Sequence, residues 1–292
     1  MDFDRREAAW ASLHGLALGD ALGSQFFVPE NAAAYAAGEV PPGRWRWTDD
    51  TEMACGIWSV LAEAGHVDQD LLARRFAERH DFMRGYGPST NRLLRLVREG
   101  GDWRELAREP FEGRGSWGNG AAMRVAPLGA WFCDDLERVV TEAARSSEVT
   151  HMHPEGVAGG IAVAVATAVA LTEEALSPGR FLDRVLEHTP SGRVRDGVVE
   201  ARKLLTVDDP DTASAVLGNG HWIAAHDTVP FCLWAAAKDL DDYERAFWRT
   251  AAAGGDIDTN CAIVGGIVAA RTGLPALPAH WLPNLEPLPV RW

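Results

Sequence analysis

The chain has 292 residues, of which 47% are hydrophobic, so it can bury a large core. Its net charge of −14 argues against nucleic acid and anionic membranes as partners, because phosphate contacts require clustered lysine and arginine. Residues 1–7 lack the pattern of a signal peptide, and the dispersed cysteines have no metal or redox spacing, which indicates a reducing compartment. We therefore expect one monomeric, cytoplasmic domain over residues 1–292.

The first part of the chain is predicted to form a helix and then a long loop. Apolar residues at helical spacing predict the helix over 5–22, and the small residues of its 15–23 segment allow another helix to pack closely. Residues 24–46 contain three prolines and are expected to be irregular. Loops of this length in compact domains are often functional.

A cluster of threonine and aspartate comes next, at the start of a helix predicted over 52–64. Its members are Thr48, Asp49 and Asp50. Two more helices are predicted over 67–83 and 89–99.

A glycine-rich loop occupies residues 111–120, before a helix that begins near residue 121. The backbone N–H groups of such a loop can cradle an anion, and Phe111 and Trp117 could stack on a base. An ordinary turn with core aromatics is the alternative, because a lone glycine-rich loop is a weak signal.

Two histidines, His151 and His153, lie between a helix predicted over 136–146 and an apolar helix predicted over 156–171. Either could bind a phosphate or act in acid–base chemistry, and capping or packing is the alternative, particularly for His153. The apolar run is too short and too rich in glycine and alanine to span a bilayer, so we expect a central buried helix.

The last third of the chain leads to a second acidic cluster. Helices are predicted over 181–187, 194–205, 230–238 and 243–253, with a glycine-rich turn at 217–220. Two glycines then precede Asp256, Asp258 and Thr259, just before an apolar helix over 260–273. One helix cap needs one such residue, yet this stretch supplies three hard oxygen ligands, which suit Mg²⁺, Mn²⁺ or Ca²⁺. The tail from residue 274 holds five prolines and cannot be regular helix.

The two acidic helix starts could converge on one site. Together they supply Thr48, Asp49, Asp50, Asp256, Asp258 and Thr259. Four converging carboxylates would repel one another, and a pair of divalent ions would remove that repulsion. Two unrelated caps are the alternative, and spacing alone does not decide between them. Because no alternating run demands a strand, the predicted fold class is all-α and compact.

Five motifs, in this order, resemble the ADP-ribosylglycohydrolase family, which includes dinitrogenase reductase activating glycohydrolase and the ADP-ribosylarginine hydrolases. They are GDALG at 19–23, WTDDT at 47–51, GSWGNGAAMRVAPLG at 115–129, THMHP at 150–154 and GGDIDT at 254–259. Any one motif alone would be unspecific, whereas the ordered set is highly specific and covers nearly the whole chain.

The resemblance implies an orthogonal all-α bundle with a dinuclear Mg²⁺ or Mn²⁺ centre in a cleft. The implied metal ligands are Thr48, Asp49, Asp50, Asp256, Asp258 and Thr259. The implied ADP-ribose-binding residues are Phe111, Gly115, Ser116, Trp117, Gly118, Asn119 and His151. Among these, Phe111 and Trp117 fall where family aromatics sandwich adenine, and His151 falls where a histidine approaches the diphosphate or ribose.

Two positions depart from the family pattern. Phe27 stands where the family commonly has a glutamate near the metals, although Glu30 is close in sequence. Ile257 stands between the two aspartates, where threonine is common. The first departure bears on the acid–base chemistry and on the substrate.

The resemblance implies a metal-dependent hydrolase that removes ADP-ribose from a modified group, with an arginine nitrogen as the expected linkage. Asp49 or Asp50 would activate the water that attacks the anomeric carbon. The alternatives are cleavage of an O-linked ADP-ribose, carried by serine, poly(ADP-ribose) or O-acetyl-ADP-ribose, and an ADP-ribose-binding protein without turnover. Phe27 favours the last alternative, and the complete set of threonine and aspartate ligands argues against it.

Overall fold

The computed structural model describes residues 4–291, so the first three residues of the 1–7 segment and residue 292 lie outside it. The helices are α1 Arg5–Ser24, α2 Ala32–Ala37, α3 Asp49–Ala64, α4 Gln69–Arg79, α5 Pro88–Arg98, α6 Trp103–Arg108, α7 Pro110–Gly113, α8 Ala126–Trp131, α9 Leu136–Glu148, α10 Pro154–Thr172, α11 Pro178–His188, α12 Arg193–Lys203, α13 Pro210–Leu217, α14 Ala225–Lys238, α15 Tyr243–Ala252 and α16 Ile257–Thr272. Within residues 4–291 the only strand-like pairings are two isolated bridges, Trp45 with Leu285 and Gly118 with Ala224. The predicted all-α class is confirmed.

Short helices account for most differences from the predicted elements. The loop predicted over 24–46 contains α2, because a run of alanines favours helix and Gly38 ends it in the left-handed conformation. Neither α6 nor α13 was expected, and each is started by an aspartate side chain that accepts a backbone N–H. The start of α14 was predicted at Pro230, but the helix begins five residues earlier, at Ala225, and the proline lies inside it.

Close packing of α1 against α16 brings two distant parts of the chain together. A Cβ atom added to Gly15 would lie 2.4 Å from the carbonyl oxygen of Gly265, and one added to Gly19 would lie 2.2 Å from that of Cys261. One added to Gly23 would lie 2.8 Å from the Cα atom of Asp258. These contacts leave no room for a side chain, so the glycines at every fourth position of α1 let the two helix backbones touch. The close packing expected for residues 15–23 is therefore confirmed.

The apolar helix α10 lies inside the core. By length and composition it could cross a membrane, but 78% of its most apolar window is buried within the protein. Its neighbours include α8, α9, α14 and α16, which surround it with apolar side chains. The burial agrees with the expected central helix. The cysteines are also buried free thiols, as predicted, at Cys55, Cys133, Cys232 and Cys261.

The proline-rich tail is irregular, as predicted, and lies along the segment that precedes α3. The N–H of Trp45 donates to Asn284, and the N–H of Glu286 donates back to Trp45. Arg84 donates to both carboxylate oxygens of Glu286, at 2.7 and 3.1 Å, and to the carbonyl oxygen of Trp47 at 2.8 Å. The tail thus holds the backbone immediately before Thr48.

Candidate metal centre

A buried aspartate of α1, Asp20, organises the start of α3. Its carboxylate accepts hydrogen bonds from the backbone N–H groups of Thr48 and Thr51, at 2.9 and 3.1 Å. It also accepts from both hydroxyl groups, at 2.8 Å from Thr48 and 2.5 Å from Thr51. Four donors from one helix start therefore converge on a carboxylate that has no solvent exposure. Asp20 therefore accepts N–H groups at the start of α3 through a tertiary contact, in place of a local N-cap side chain.

The two acidic clusters do not cap their own helices. Thr48 is the N-cap residue of α3 and Asp256 that of α16, yet neither side chain accepts a capping hydrogen bond from its helix. Asp4, by contrast, accepts two backbone N–H groups at the start of α1. The capping alternative therefore does not account for these side chains, which are directed to other partners.

Three carboxylates from three helices meet next to Thr48. Asp20, Asp50 and Asp258 each place one oxygen within 4.8 Å of the others. The Thr48 hydroxyl lies 2.8 Å from one oxygen of Asp20 and 2.9 Å from one oxygen of Asp50, but it has a single proton to donate. The second oxygen of Asp50 is fully buried and has no hydrogen-bond partner among the described residues. A cation here would interact with the unpartnered oxygen of Asp50 and with the carboxylate oxygen that the single Thr48 proton does not serve.

Burial and mutual repulsion shift the acidity of these groups. Burial raises the pKa of Asp20 to about 6, against the hydrogen bonds from Thr51 and Thr48, which lower it. Burial and the charge of Asp20 raise the pKa of Asp49 to about 8. The pKa values of Asp50 and Asp258 are also raised, by burial first and by neighbouring aspartates second. Without a cation, these carboxyls hold protons that free aspartates would have lost.

The chemistry of this group of side chains fits a divalent cation. Hard carboxylate and hydroxyl oxygens are the ligands that Mg²⁺ and Mn²⁺ take, and the unpartnered oxygen of Asp50 is available for one. Asp258 lies in the first turn of α16 and Asp50 in the first turn of α3. Thr48 therefore lies with carboxylates from both predicted clusters. Asp20, which belongs to neither cluster, completes the group.

Asp49 occupies a different position from its neighbour Asp50. It is not one of the three carboxylates that meet within 4.8 Å. Its carboxylate faces the turn that follows α4, where a Cβ atom added to Gly85 would lie 3.5 Å from one of its oxygens. Asp49 is also partly exposed, whereas Asp50 is buried. The two candidate catalytic residues are therefore distinct in their surroundings.

The glycine-rich loop is joined directly to the second acidic cluster. The Asn119 side chain donates to a carboxylate oxygen of Asp256 at 2.7 Å and to the hydroxyl of Thr228 at 3.1 Å. The backbone N–H of Asn119 donates to the carbonyl oxygen of Ile223 at 3.2 Å. Asn119 was expected to bind substrate, and here its side chain positions Asp256. Next to Asp258, Thr259 is buried in the first turn of α16.

The remaining loop residues form a tight turn. Ser116 accepts the N–H of Gly118 at 3.1 Å, and a Cβ atom added to Gly115 would lie 2.8 Å from the backbone nitrogen of His153. Gly118 pairs with Ala224 in a bridge, which ties the loop to the segment before α14. The backbone N–H groups of Gly115, Gly118 and Asn119 therefore already have acceptors within the protein.

The aromatic residues Phe111 and Trp117 lie against each other. Their ring centroids are 3.9 Å apart, so no third ring fits between them in this conformation. Phe111 is 46% exposed, and both it and Glu112 have positive φ angles, which is strained backbone for such side chains. A base could stack on the outer face of Trp117 or displace Phe111. Their assignment to adenine stays a prediction.

The two histidines have different roles. His153 accepts the N–H of Glu155 at 3.1 Å and starts α10, so the capping alternative holds for it. His151 is buried, with its ring against the loop: its Nε2 atom would lie 3.1 Å from a Cβ atom added to Gly118 or Gly120. Burial and the charge of Arg124 lower the pKa of His151 to about 3, so its imidazole is neutral.

The first departure from the family pattern, Phe27, is an exposed aromatic side chain. Phe27 follows α1 in a 3₁₀ turn and is 51% exposed. Glu30, in the next turn, is also exposed, and its carboxylate makes no hydrogen bond or ion pair with a described residue. Ile257 is buried in the first turn of α16.

Asp20 lies within the GDALG motif at 19–23 but was not predicted to be a metal ligand. A lone aspartate in an otherwise apolar helix was the available signal, because a buried carboxylate needs partners. Thr51 was missed for a similar reason, since its hydroxyl is used by a residue 31 positions away.

Comparisons with known proteins find similar proteins over nearly the whole chain. A family model described as ADP-ribosylglycohydrolase matches residues 1–291. "ADP-ribosylhydrolase ARH3" of Gallus gallus is 31% identical, over 94% of this chain and 88% of its own length. The ARH3 protein of Homo sapiens is 30% identical, over 82% and 74%.

Two further matches extend the comparison. An uncharacterized protein of Archaeoglobus fulgidus is 31% identical, over 93% of this chain and 89% of its own length. A solved structure described as "ADP-ribosylglycohydrolase-related protein complex" is 27% identical and superimposes with a TM-score of 0.62, over 97% of this chain and 93% of its own.

Proposed function

Because this chain belongs to the ADP-ribosylglycohydrolase family, we propose that it hydrolyses the glycosidic bond between ADP-ribose and a modified group, with divalent-cation dependence. The observation that carries the proposal is the meeting of Asp20, Asp50 and Asp258 within 4.8 Å. We treat residues 1–292 as one functional domain, because one cluster of buried side chains extends from Leu18 to Trp281.

The residues that would hold the cation are Thr48, Asp50 and Asp258, with Asp20 behind them. When bound, Mg²⁺ or Mn²⁺ would supply positive charge to the site and hold substrate hydroxyl groups. Asp20 keeps Thr48 in place through two hydrogen bonds, from the backbone N–H at 2.9 Å and the hydroxyl at 2.8 Å. Asp256, which accepts a hydrogen bond from Asn119, would be a further carboxylate of the site. We propose two cations, since the two clusters together offer more oxygen atoms than one ion needs.

Asp49 is the better candidate for the general base. It is partly exposed and stands apart from the three clustered carboxylates, whereas Asp50 lies among them. In this proposal, Asp49 takes a proton from the attacking water while the oxygen of that water bonds to the anomeric carbon. The bond to the leaving group breaks: a protonated guanidinium leaves as a neutral guanidine, whereas an alkoxide takes a proton from solvent water.

The loop Gly115–Asn119 and His151 would bind the rest of ADP-ribose. The backbone N–H groups of Ser116 and Trp117 make no hydrogen bond with a described residue and would donate to a diphosphate, which a chain with a net charge of −14 has to bind through such groups or cations. Trp117 offers one ring face to adenine, because Phe111 covers the other. Arg114 lies 5.8 Å from the Trp117 ring and adds positive charge at this edge.

For the linkage, we propose an arginine nitrogen first. A guanidine leaves readily once protonated, whereas an alkoxide usually needs an acid to protonate it, and Phe27 supplies none. None of the relatives described above is named for an arginine linkage, so hydrolysis of an O-linked ADP-ribose is the second candidate.

The test compares two peptides, one carrying ADP-ribosyl-arginine and one carrying ADP-ribosyl-serine, at the same Mg²⁺ or Mn²⁺ concentration. We expect release of ADP-ribose from the arginine peptide and slower or no release from the serine peptide, with Asp49→Ala as the blank. Faster release from serine would replace the first candidate with the second. Binding of ADP-ribose without release from either peptide would indicate a protein that binds but does not hydrolyse.

A further inference from the structure

A chain of buried hydrogen bonds connects an arginine to the histidine of the cleft. Arg124 is completely buried and has no carboxylate partner among the described residues. One of its terminal nitrogens donates to the hydroxyl of Thr150 and to the carbonyl oxygen of Ser146, both at 2.9 Å. The Thr150 hydroxyl lies 2.7 Å from the Nδ1 atom of His151.

Counting protons determines the direction of this chain. A guanidinium only donates, so Thr150 accepts from Arg124 and keeps its own hydroxyl proton for another partner. Among the described residues, the Nδ1 atom of His151 is the one acceptor in hydrogen-bond contact with that hydroxyl. If Nδ1 carried a proton instead, the buried Thr150 hydroxyl would have no acceptor, which is costly.

We propose that Arg124 and Thr150 are positioning residues that hold His151 in the tautomer with its proton on Nε2. This inference rests on the proposed function, because it assigns His151 a hydrogen bond to ADP-ribose. Arg124 sets the orientation of Thr150, and Thr150 sets the tautomer and the ring plane of His151.

The protonated Nε2 atom lies beside the glycine-rich loop. A Cβ atom added to Gly118 or Gly120 would lie 3.1 Å from it, so the glycines let the loop backbone pack directly against this edge of the ring. Nε2 has no hydrogen bond to a described residue, so its proton is left for an acceptor that binds beside the loop. Its partner is an acceptor oxygen of ADP-ribose, on phosphate or ribose. A neutral imidazole with Nε2–H donates to either one.

The buried guanidinium of Arg124 also explains why the imidazole of His151 is neutral. Arg124 and burial both disfavour a second proton on His151, so Nδ1 stays an acceptor. Burial in turn lowers the pKa of Arg124 to about 9, and its Nε atom lacks a partner. The guanidinium also lies 4.7 Å from the centre of the Phe76 ring and 3.4 Å from the sulfur of Met53. A buried guanidinium without a carboxylate partner in contact is retained at some cost in stability, which is consistent with a role in the site.

The experiment measures the tautomer directly. The protein, loaded with Mg²⁺, is labelled with ¹⁵N at its nine histidines, and the signals of His151 are assigned by their absence in a His151→Gln variant. We expect His151 to show an unprotonated Nδ1 and a protonated Nε2. Thr150→Val should mix or invert the two signals, and Thr150→Ser, which keeps the hydroxyl, should restore them.

Binding of ADP-ribose is measured on the same variants by titration calorimetry. We expect about tenfold weaker binding for Thr150→Val and near-normal binding for Thr150→Ser, since one hydrogen bond is at stake. A protonated Nδ1 in the unmodified protein would overturn the inference. So would an unchanged tautomer and affinity in Thr150→Val. If the unmodified protein has the expected tautomer but binds no ADP-ribose, the proposed function fails and the tautomer assignment stands.

Discussion

Single buried residues determine how much charge this site can hold. Asp20 has no exposure and is surrounded by four hydrogen-bond donors, which favour its ionised form against the cost of burial. Around it, the carboxyls of Asp50 and Asp258 have raised pKa values, chiefly because they are buried. A cation would stabilise the ionised form of the whole group, so binding of metal and stability of the fold should be coupled.

Replacing one clustered carboxylate tests that coupling. Mg²⁺ or Mn²⁺ at a hundredfold excess over its dissociation constant should stabilise the fold by about 2.7 kcal/mol. We expect Asp258→Asn to remove most of the resulting rise in Tm, measured by thermal denaturation with and without metal. Asp196→Asn, an exposed carboxylate of α12, is the control and should keep the full rise. An undiminished rise in Asp258→Asn would contradict a shared metal site.

The acidity of the site predicts a pH dependence with a definite sign. Asp20 and Asp49 have pKa values of about 6 and about 8 in the folded protein, against a usual value of 3.8. From about pH 3.8 up to these raised pKa values, the folded chain binds more protons than the unfolded chain. Without metal, the free energy of unfolding therefore falls as the pH rises through this range. Metal requires the ionised carboxylates, so its affinity rises over the same range. The metal-induced rise in Tm should therefore be larger near pH 8 than near pH 5, and the reverse order would contradict these assignments.

In the proposed function, Trp117 is the residue expected to stack on adenine. Aromatic stacking on a base is worth roughly 1–3 kcal/mol by alanine substitution. Trp117→Ala should weaken ADP-ribose binding by about one to two orders of magnitude in titration calorimetry. Phe82→Ala removes an exposed aromatic outside this loop and should leave the affinity unchanged. Equal affinity of Trp117→Ala and the unmodified protein would return Trp117 to a packing role.

At the scale of elements, the contact between α1 and α16 positions the carboxylates. Gly19 has no space for a side chain, since an added Cβ atom would lie 2.2 Å from a backbone oxygen of α16. Gly19→Ala should therefore destabilise the fold by about 1–3 kcal/mol despite the better helix propensity of alanine, because a backbone must move. The metal-induced rise in Tm should fall as well, since Asp20 and Asp258 would separate.

The matched control is Gly87→Ala. Gly87 has an ordinary φ angle of −60° and nothing within 4 Å of an added Cβ atom. The Gly87→Ala substitution should change the free energy of unfolding by less than about 1 kcal/mol in urea denaturation. Equal losses in the two variants would show that the glycine contact with α16 is unimportant.

The long helices were predictable from sequence and the short ones were not. Apolar periodicity located α1, α3 and α9 to within a few residues, because each buries one face. Both α6 and α13 have eight residues or fewer, too few for a periodic signal. A proline inside α14 was taken for its beginning, since proline is common at helix starts.

The same limits apply to the site. Clusters of neighbouring residues, such as Thr48 to Asp50, were visible because a cap does not need so many oxygen atoms. Asp20, Thr51 and Arg124 act through partners on other helices, and no local pattern reports such partners. The direct contact between Phe111 and Trp117 depends on a strained turn, which the sequence did not reveal.

For the whole molecule, the tail holds the first acidic cluster in place. Arg84 and Glu286 form a two-pronged ion pair whose side chains are 10% and 21% exposed. Glu286→Gln would remove the closer of two carboxylates that pair with Arg84 and leave Asp81 at 3.6 Å, at a cost of about 1.5–3 kcal/mol in urea denaturation. We also expect weaker metal binding, because Arg84 contacts the backbone immediately before Thr48.

A second two-pronged pair provides the comparison. Arg92 and Glu109 are 51% and 55% exposed, and Glu109→Gln should cost at most about 1 kcal/mol with no change in metal binding. If both variants lost the same stability and neither changed metal affinity, the tail would have no role in the site.

The packing of α1 on α16 also has a consequence for the order of biosynthesis. Ser12 donates to the carbonyl oxygen of Gly266, which is 254 residues further along the chain. At about 5–20 residues per second, the ribosome needs roughly 13–50 s to make that partner. During this interval the glycine face of α1 has nothing to pack against, and Asp20 and Asp50 are already made but cannot be joined by Asp258. We therefore expect the full set of clustered carboxylates to form only after α16 has been synthesised.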